Sequence, residues 1–398
     1  MFPRYRFQVL AVVCTLLLFS VPPVLAQTES ILYDFNCDTG PCLPAYDLAI
    51  DGQGNLYGAT YTANQGVVYK LTPTGEITIL HVFGESYGDG AGLPAGVILD
   101  SQGNLYGATS GGGSEDCGII FELSPSGSET ILYDFMGEED GCLPEAGVVM
   151  DGEGNLYGTT WVGSLYYGDV YKFVRSTGTV TTLYTFTGGN DGAWPNGVVL
   201  DKEGNLYGTT QGGGRAQEGV VFKVTPSGEE TVLHTFEPNG KDGFLPLTSV
   251  ILDSKDNVYG TTREGGAIGV GTVYEVTPSG KETILHSFKG GEDGIFPGSD
   301  LMFDSKGNLY GTTYYGGTYD FGTVFKLAKT HETILHSFDP NGVDGLNPLG
   351  GVVFNQNGTL FGTTLLGGPT SMLYPYGSGT VYEITPQALA VSAEDVPR

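Results

Sequence analysis

The sequence contains few basic residues. Only 17 lysines and arginines stand against 45 aspartates and glutamates in 398 residues. This excess of negative charge repels nucleic acids and anionic membranes, so we exclude both as partners. A strong net charge also keeps a chain soluble and separate from its copies, and we therefore expect a monomer.

Long hydrophobic runs are missing beyond the first 26 residues. Arg4 and Arg6 precede an apolar stretch over residues 7–20, and small or apolar residues follow at 24–26. This pattern predicts a signal peptide over residues 1–26. The apolar stretch is shorter than the ~20 residues that span a bilayer. We therefore predict a secreted or periplasmic protein without membrane insertion, whose mature chain begins at Gln27.

The short motifs of common enzyme classes are absent as well. The sequence has no G-x-S-x-G, H-E-x-x-H, C-x-x-C or P-loop pattern. Paired carboxylates perform glycoside chemistry, but abundant acidic residues without a defined spacing do not indicate that reaction. We predict no cofactor, and we favour a protein that is not an enzyme.

A short phrase, N-L-Y-G-T-T, is abundant instead. It recurs with variants seven times, and its glycines are 49 to 52 residues apart: Gly58, Gly107, Gly158, Gly208, Gly260, Gly311 and Gly362. Each period contains four short runs rich in Val, Ile, Tyr, Phe and Thr, which we label strands a to d. Four antiparallel strands in a period near fifty residues predict an all-β, seven-bladed β-propeller of four-stranded blades.

Glycines have two predicted roles in this repeat. The a–b connection reads D-x-x-G-N, which predicts a type I turn followed by a residue in the left-handed region. Six copies have Gly there and the seventh has Asp256, a residue type that tolerates positive φ. We interpret the glycine inside strand b as room for a neighbouring blade to approach, with the adjacent Tyr filling space on the other side of the sheet.

The two chain ends predict how the ring closes. Residues 31–35 have the pattern of a strand d, whereas the last repeat stops after its strand c at 379–386. The N-terminal strand would therefore complete the last blade and leave no open edge. The predicted propeller covers residues 27–386, and residues 387–398 form a C-terminal tail.

The repeat unit resembles a known family. Units of the form GxLYGTTxxGGxxxxGTVFKLTPxGxETxLxSF, followed by D-G and P, are similar to the Gloeo/Verruco (GloVer) tandem repeat of exported bacterial proteins. The resemblance covers nearly all of the mature chain. It implies a secreted or surface protein built from repeats.

The mature chain has four cysteines, an even number that suggests two disulfides in an exported protein. Cys37 and Cys42 share one d–a loop. Cys117 ends a b–c loop, and Cys142 lies in the next d–a loop on the same face. We predict the pairs Cys37–Cys42 and Cys117–Cys142, with a link between Cys42 and Cys117 as the alternative.

The b–c and d–a loops lie on one face, vary between copies, and form our predicted binding face. Aromatic residues outside the repeat pattern collect there, and flat rings suit sugars and peptide side chains. The ligand candidates are Tyr61, Trp161, Tyr166, Tyr167, Trp194, Arg263, Tyr314, Tyr315, Tyr319 and Tyr374, with Tyr376 beside them. We predict a binding or interaction protein for a glycan or a protein segment. Ordinary loop packing of these rings and a carbohydrate-active enzyme, either a glycoside hydrolase or a polysaccharide lyase, are the alternatives.

The same face carries Asp-Gly pairs at a constant interval of 51: Asp89, Asp140, Asp191, Asp242, Asp293 and Asp344. A crown of carboxylates that hold Ca²⁺ is one interpretation. We favour a turn in which each Asp caps its own backbone, because one Asp per blade cannot converge with the others on one ion. His81, His234, His286 and His336 share a strand-d position with Tyr33, Tyr133 and Tyr184, so we interpret them as packing residues. We therefore predict no metal site.

Overall fold

The computed structural model describes residues 28–385, apart from 39, 45, 63–64, 85–87, 94, 138–139, 342–343 and 371–374. These residues form seven antiparallel, four-stranded blades arranged as a β-propeller, which confirms the predicted fold class. The proposed signal peptide, residues 1–26, and the proposed tail, residues 387–398, lie outside the described residues.

Each blade consists of strands a to d in the order in which they are paired. In blade 1 they are Ala49–Ile50, Leu56–Thr62, Gln65–Leu71 and Ile77–Val82. In blade 2 they are Ile98–Leu99, Leu105–Ala108, Ile119–Leu123 and Glu129–Asp134. In blade 3 they are Val149–Met150, Leu156–Thr160, Asp169–Val174 and Thr179–Thr185. In blades 4 and 5 they are Ala193–Leu200, Leu206–Gly212, Val220–Val224 and Glu230–Thr235; Ile251–Leu252, Val258–Thr262, Thr272–Val276 and Glu282–Ser287. In blades 6 and 7 they are Met302–Phe303, Leu309–Tyr315, Thr323–Ala328 and His331–Ser337; Val353–Phe354, Leu360–Thr364, Thr380–Thr385 and Thr28–Asp34.

The segments predicted as loops contain additional short pairings. In several blades the d–a segment pairs with the start of the b–c loop of the blade that it enters. These pairs are Gly90–Ala91 with Gly111–Gly112, Gly243–Phe244 with Glu264–Gly265, Ile295–Pro297 with the end of strand b in blade 6, and Gly345–Leu346 with Leu366–Gly367. The face with the variable loops is therefore more regular than the sequence predicts, because backbone hydrogen bonds hold the two variable loops of a blade together.

Helices contribute almost nothing to this architecture. The described part of the chain contains one helical turn, the 3₁₀ segment Gly291–Asp293, and no α-helix. None of its helices has the length and apolar character needed to cross a membrane.

The N-terminal strand closes the ring as predicted. Thr28–Asp34 pairs antiparallel with Thr380–Thr385 and is the outermost strand of blade 7. Phe35, which follows it, is fully buried and packs in one cluster with Tyr69 of blade 1 and Val381 of blade 7. The two ends of the chain therefore contribute to one blade and to the interface that joins the last blade to the first.

Apolar clusters between adjacent blades form the core. One cluster joins Tyr157 and Phe186 of blade 3 to Leu206 and Phe222 of blade 4, and equivalent clusters lie at the other interfaces among the described residues. A blade has too little apolar surface to be stable alone, so this packing couples the stability of each blade to that of its neighbours.

The a–b hairpins have the predicted turn. The residue before the Asn, or before Thr359 in blade 7, has positive φ in every copy: Gly54, Gly103, Gly154, Gly204, Asp256, Gly307 and Gly358, with Asp256 at 60°. The strand-b Tyr fills space in the blade interface, as predicted, but also donates a hydrogen bond to the Asp that begins the hairpin. Tyr157 Oη lies 3.0 Å from Asp151 Oδ2. In blade 7 the two positions carry Asn355 and Phe361, so both partners of this bond are replaced together.

The glycine inside strand b has a different role from the one predicted. It makes room for an aromatic ring of strand c in its own blade, not for a neighbouring blade. A Cβ atom on Gly158 would collide with the hydroxyl of Tyr171 and lie 2.7 Å from its Cζ. The six other copies show the same arrangement with Tyr69, Phe121, Phe222, Tyr274, Phe325 and Tyr382. Each ring belongs to the residue paired with the glycine across the ladder, as Tyr171 is with Gly158.

Candidate functional site

A cavity of about 860 Å³ lies between the first strands of the blades. Residues of strand a and of the segments that precede it form its wall, and residues that follow the N-L-Y-G-T-T phrase also contribute. We call it the axial cavity. Volumes of this order are typical of small-ligand sites, so the cavity and its mouth are the candidate functional site.

One position of the repeat supplies most of the variable side chains at the mouth of this cavity. It is the residue immediately after the phrase, and the residues there that line the cavity are Trp161, Gln211, Arg263, Tyr314 and Leu365. The position holds an aromatic ring, an amide, a guanidinium and an aliphatic chain in different blades. A scaffold does not require this variety, whereas recognition of a ligand does.

A residue with positive φ in each d–a segment holds this position in place; it is Gly92 in the segment that enters blade 2 and a residue other than glycine in the other six. Leu43, Leu143, Trp194, Leu245, Phe296 and Asn347 precede or enter strand a with φ between 55° and 58°. This conformation costs a bulky residue about 1–3 kcal/mol. The Leu143 N–H donates to Cys117 O of the preceding blade, and its carbonyl accepts from Trp161 N–H. The Leu245 carbonyl accepts from Arg263 N–H in the same way. The strained residue therefore fixes the backbone of the variable position.

An arginine and three aromatic rings form one group at the mouth between blades 5 and 6. The Arg263 guanidinium lies 5.3 Å from the ring centre of Phe296, and the Phe296 and Tyr315 rings are 6.4 Å apart. Tyr314 packs edge-on against Tyr315 with ring centres 4.7 Å apart. No carboxylate among the described residues forms an ion pair with Arg263. We call Arg263, Phe296, Tyr314 and Tyr315 the mouth cluster.

Two carboxyl groups meet inside the axial cavity. Asp47 of blade 1 and Asp300 of blade 6 are in hydrogen-bonding contact, which requires a proton on at least one of the two carboxyl groups. Burial, and then the charge of Asp47, raise the pKa of Asp300 well above its ordinary value. Backbone amides fix both groups, because Gly351 N–H donates to Asp47 and Ser249 N–H donates to Asp300 over 2.9 Å. At the position of Asp47 and Asp300 in the repeat, the other blades have Gly or Ser. One of these residues is Gly96, on which a Cβ atom would collide with the backbone carbonyl of Asp47.

The structure separates the ten ligand candidates into groups. Trp161, Arg263, Tyr314 and Tyr315 line the axial cavity. Tyr166, Tyr167 and Tyr319 are exposed and do not line it, and Tyr376 is likewise exposed away from it. Trp194 is in strand a of blade 4, where its ring covers Gly212 and lies 6.4 Å from that of Tyr167. The backbone of Tyr61 is in strand b of blade 1, and Tyr374 lies outside the described residues.

Two disulfides link segments of the face with the b–c and d–a loops, and their pairing is the predicted one. Cys37–Cys42 closes one d–a loop, with Cα atoms 4.9 Å apart. Cys117–Cys142 joins a b–c loop of blade 2 to the d–a segment that enters blade 3, with Cα atoms 4.5 Å apart.

The Asp-Gly carboxylates cap turns, as predicted. Asp242 accepts from Glu237 N–H at 3.0 Å, and Asp293 accepts from Lys289 N–H at 2.6 Å. The packing interpretation of the strand-d histidines is incomplete, however. Their rings do pack on the Phe two residues later, but each Nε2 also faces the Asp of an Asp-Gly pair and a Glu of the next blade. In the third such group His286 Nε2 lies 3.2 Å from Asp293 and 3.4 Å from Glu332.

Sequence reasoning missed the residues whose function depends on another blade. These are the Asp47–Asp300 pair, Phe296 of the mouth cluster, and the glutamates opposite the histidines. An alignment of the seven copies contains one usable signal, because every blade with a strand-d His is followed around the ring by a blade with Glu at the start of strand d.

Comparison of the structure with solved proteins finds other propellers at low sequence identity. A streptogramin B lyase superposes with a TM-score of 0.61 at 13% identity, over 91% of this chain and 98% of that protein. Virginiamycin B lyase from Staphylococcus aureus gives 0.57 at 13% identity, over 90% and 98%. PorZ, a bacterial surface component of the type-IX secretion system of Porphyromonas gingivalis, gives 0.57 at 14% identity, over 89% of this chain and 48% of PorZ. At such identity these similarities show the fold alone.

No curated protein matches the chain in a sequence comparison. The repeat itself, however, is recognised by a family profile, that of the Gloeobacter/Verrucomicrobia repeat, which matches residues 44–254 and 195–393. The matches cover most of the chain and confirm the resemblance inferred from the N-L-Y-G-T-T units. The chain therefore belongs to the Gloeobacter/Verrucomicrobia repeat family.

Proposed function

We propose that this propeller binds a neutral glycan at the mouth of the axial cavity. The observation that carries the proposal is the variable position after the repeated phrase, which places Trp161, Arg263 and Tyr314 around one opening. Aromatic faces stack on the apolar faces of sugar rings, and a guanidinium donates several hydrogen bonds to hydroxyl groups. A protein segment with exposed apolar side chains is the second ligand class that such a surface accommodates.

The charge of the protein supports a neutral ligand. The formal net charge of the sequence is −28, and a polyanion would be repelled before contact. Arg263 is exposed and has no carboxylate partner among the described residues, so a ligand would not compete with an ion pair for its guanidinium. Trp161, which is 37% exposed, offers one ring face while its backbone is held by Leu143.

The alternative of a glycoside hydrolase gains no support from the carboxyl pair in the cavity. Hydrolases of this kind place two carboxyl groups about 5–10 Å apart, with the sugar between them. Asp47 and Asp300 are in direct hydrogen-bonding contact, which leaves no such gap. Binding without turnover is therefore the function that we propose.

We place the protein outside the cytoplasm. Disulfides persist in oxidising compartments and are rare in the reducing cytosol. The two disulfides of the proposed binding face, Cys37–Cys42 and Cys117–Cys142, fit an extracellular or periplasmic environment. The proposed signal peptide over residues 1–26 is consistent with this location.

The test begins with an array of neutral oligosaccharides and continues with calorimetry on the best binder. Trp161→Ala should weaken binding by ~2 kcal/mol or more, since an aromatic residue that becomes buried under the ligand often dominates an interface. Arg263→Ala should weaken binding by a smaller amount. Both variants should keep the melting temperature of the parent, because the side chains lie outside the blade core.

Tyr166→Ala is the matched control. Tyr166 is an aromatic residue of the same face, is 78% exposed, and does not line the cavity. Its removal should leave the affinity unchanged. Glycan binding that is lost with Tyr166 but retained without Trp161 would place the site elsewhere, and capture of peptides but no glycans would assign the surface to a protein segment.

A further inference from the structure

Four blade interfaces within the described residues contain a His, an Asp and a Glu whose side chains converge, far from the repeat position that lines the axial cavity. The His and the Asp come from one blade or its outgoing loop, and the Glu comes from strand d of the next blade. We call these groups the interblade triads: His81–Asp89–Glu129, His234–Asp242–Glu282, His286–Asp293–Glu332 and His336–Asp344–Glu29. In each triad one atom per residue lies within 4.8 Å of the other two.

The distances from the His nitrogen to the carboxylate oxygens of the triads run from 2.9 to 3.8 Å, a range that includes the spacing of metal ligands. His234 Nε2 lies 3.2 Å from Asp242 Oδ2 and 3.6 Å from Glu282 Oε1. The corresponding distances are 3.2 and 3.4 Å for His286, and 3.6 and 3.8 Å for His81. Ligands about 2.0–2.2 Å from a tetrahedral ion are roughly 3.3–3.6 Å from one another.

Buried oxygens without a hydrogen-bond partner point into these groups. In the first triad none of His81 Nε2, Asp89 Oδ1 and Glu129 Oε1 has a hydrogen-bond partner, and the Asp89 side chain is only 5% exposed. Asp242 Oδ1 and Asp344 Oδ1, in side chains that are 7% and 9% exposed, accept from no N–H or hydroxyl group, and each Asp meets the carboxyl group of the Glu in its triad. Buried polar atoms in this state are costly, and a cation between them would satisfy all of them together.

The repeat itself links the His to the Glu. Where strand d has Tyr33 or Tyr133 in place of His, the next blade has Ile77 or Val180 at the position of the Glu. Tyr184 is the one Tyr that is followed by a Glu, Glu230. Packing of the His ring would not require a Glu in the next blade, whereas an ion bound between the two residues would require both.

We propose that each interblade triad binds one divalent transition-metal ion, with Zn²⁺ as the best match to one imidazole nitrogen and two carboxylate oxygens. Three protein ligands leave a fourth position for water. Imidazole selects such an ion over Ca²⁺, which prefers oxygen ligands only. The ion would join strand d of one blade to strand d of the next and so fasten the outer edge of the ring. This inference is independent of the glycan proposal.

The experiment measures zinc on the intact mature protein. After loading with Zn²⁺ at neutral pH and removal of free metal, we expect about four equivalents per chain by elemental analysis. Cobalt(II) in its place should give the visible absorption of a tetrahedral site with nitrogen and oxygen ligands. Zinc should also raise the melting temperature of the metal-free protein, because it binds only the folded chain.

Substitutions of His by Tyr remove one ligand and retain the fold. Tyr already occupies this position in other blades, where Tyr133 and Tyr184 donate to their Asp over 2.8 and 3.0 Å. Each single variant, such as His286→Tyr, should lose one equivalent of zinc. The variant with all four substitutions should lose all zinc and its effect on melting.

His331→Tyr is the control, because His331 is exposed and belongs to no triad. It should retain all equivalents. Parent protein that retains no zinc, or a four-site variant that retains as much as the parent, would overturn the proposal. In either case the triads would be hydrogen-bonded ion pairs only.

Discussion

The two ends of each blade use carboxylates in opposite ways. At the end with the a–b hairpins, Asp151 accepts hydrogen bonds from the backbone N–H groups of Glu153 and Asn155, from the Asn155 side chain and from Tyr157. At the end with the variable loops, Asp242 Oδ1 accepts from no N–H or hydroxyl group, and the Asp242 carboxylate instead meets the carboxyl group of Glu282 from the next blade. Burial alone would raise the pKa of Asp151, but the bonds from Asn155 and its neighbours outweigh it and lower the pKa. Burial raises the pKa of Glu282 to about 9, with Asp242 adding to the shift.

This difference shows which end of the blade is scaffold. The hairpin network recurs in six blades with the same residues and satisfies its own hydrogen bonds. The loop end has strained backbone, Asp oxygens that accept from no N–H or hydroxyl group, and five different side chains at the cavity mouth. Buried groups without a donor are where an ion gains most by binding, so the Asp of each proposed metal site lies at that end, as does the proposed glycan site.

Removing the N-terminal strand should have the largest effect, because it affects both ends of blade 7. A chain that begins at residue 37 would expose the edge of Thr380–Thr385 and lose the buried ring of Phe35. Replacing such a ring by Ala alone costs about 3–5 kcal/mol. We expect aggregation or loss of the cooperative thermal transition, measured by circular dichroism.

A synthetic peptide of residues 27–36 provides the matched test of closure. Added to the truncated chain, it should restore the transition, because the edge that it pairs with is otherwise intact. Truncated protein that melts like the parent would show that the ring is stable without this strand.

A substitution in the middle of a blade should have the next largest effect. Gly158→Ala places a methyl group against the buried Tyr171 ring, which is fully enclosed. Overpacking of this kind costs about 1–3 kcal/mol, which we expect as a lower free energy of unfolding in urea. Gly152→Ala is the control from the same hairpin, because a Cβ there meets nothing within 4 Å. Equal stability of the two variants would contradict the role that we assign to the strand-b glycine.

Much of the scaffold could be predicted from the sequence, because its causes are local. The turn at Gly154 and the exception at Asp256 follow from backbone sterics within four residues, and ring closure follows from one surplus and one missing strand. The role of Gly158 could not be predicted, because the ring that a Cβ atom there would meet belongs to strand c, more than ten residues away. The spacing of the repeats also gives no information on where a side chain points.

The candidate site was only partly predictable for the same reason. Trp161 and Arg263 stand out as departures from the repeat, and the structure places both at the cavity. Tyr166 departs from the repeat equally, yet lies outside it. Asp47 and Asp300 are 253 positions apart in the sequence, and only the curvature of the ring brings them together.

The smallest effect that we predict concerns Glu230, at the blade interface where Tyr184 stands in place of the strand-d histidine. Burial, and then the charge of Asp191, raise the pKa of Glu230 to about 7. The folded pKa is above the unfolded value of 4.5, so the contribution of Glu230 to stability is full below pH 4.5 and is lost as the pH rises through 7. Glu230→Gln replaces the carboxyl group by an uncharged amide of the same shape. It should raise the free energy of unfolding at pH 8 by about 1 kcal/mol after allowance for solvent screening, and leave it nearly unchanged at about pH 4, below the unfolded pKa. The exposed neighbour Glu229→Gln removes the same charge and should show no such pH dependence in urea titrations. If both variants respond alike, net charge and not burial of Glu230 would account for the alkaline loss of stability.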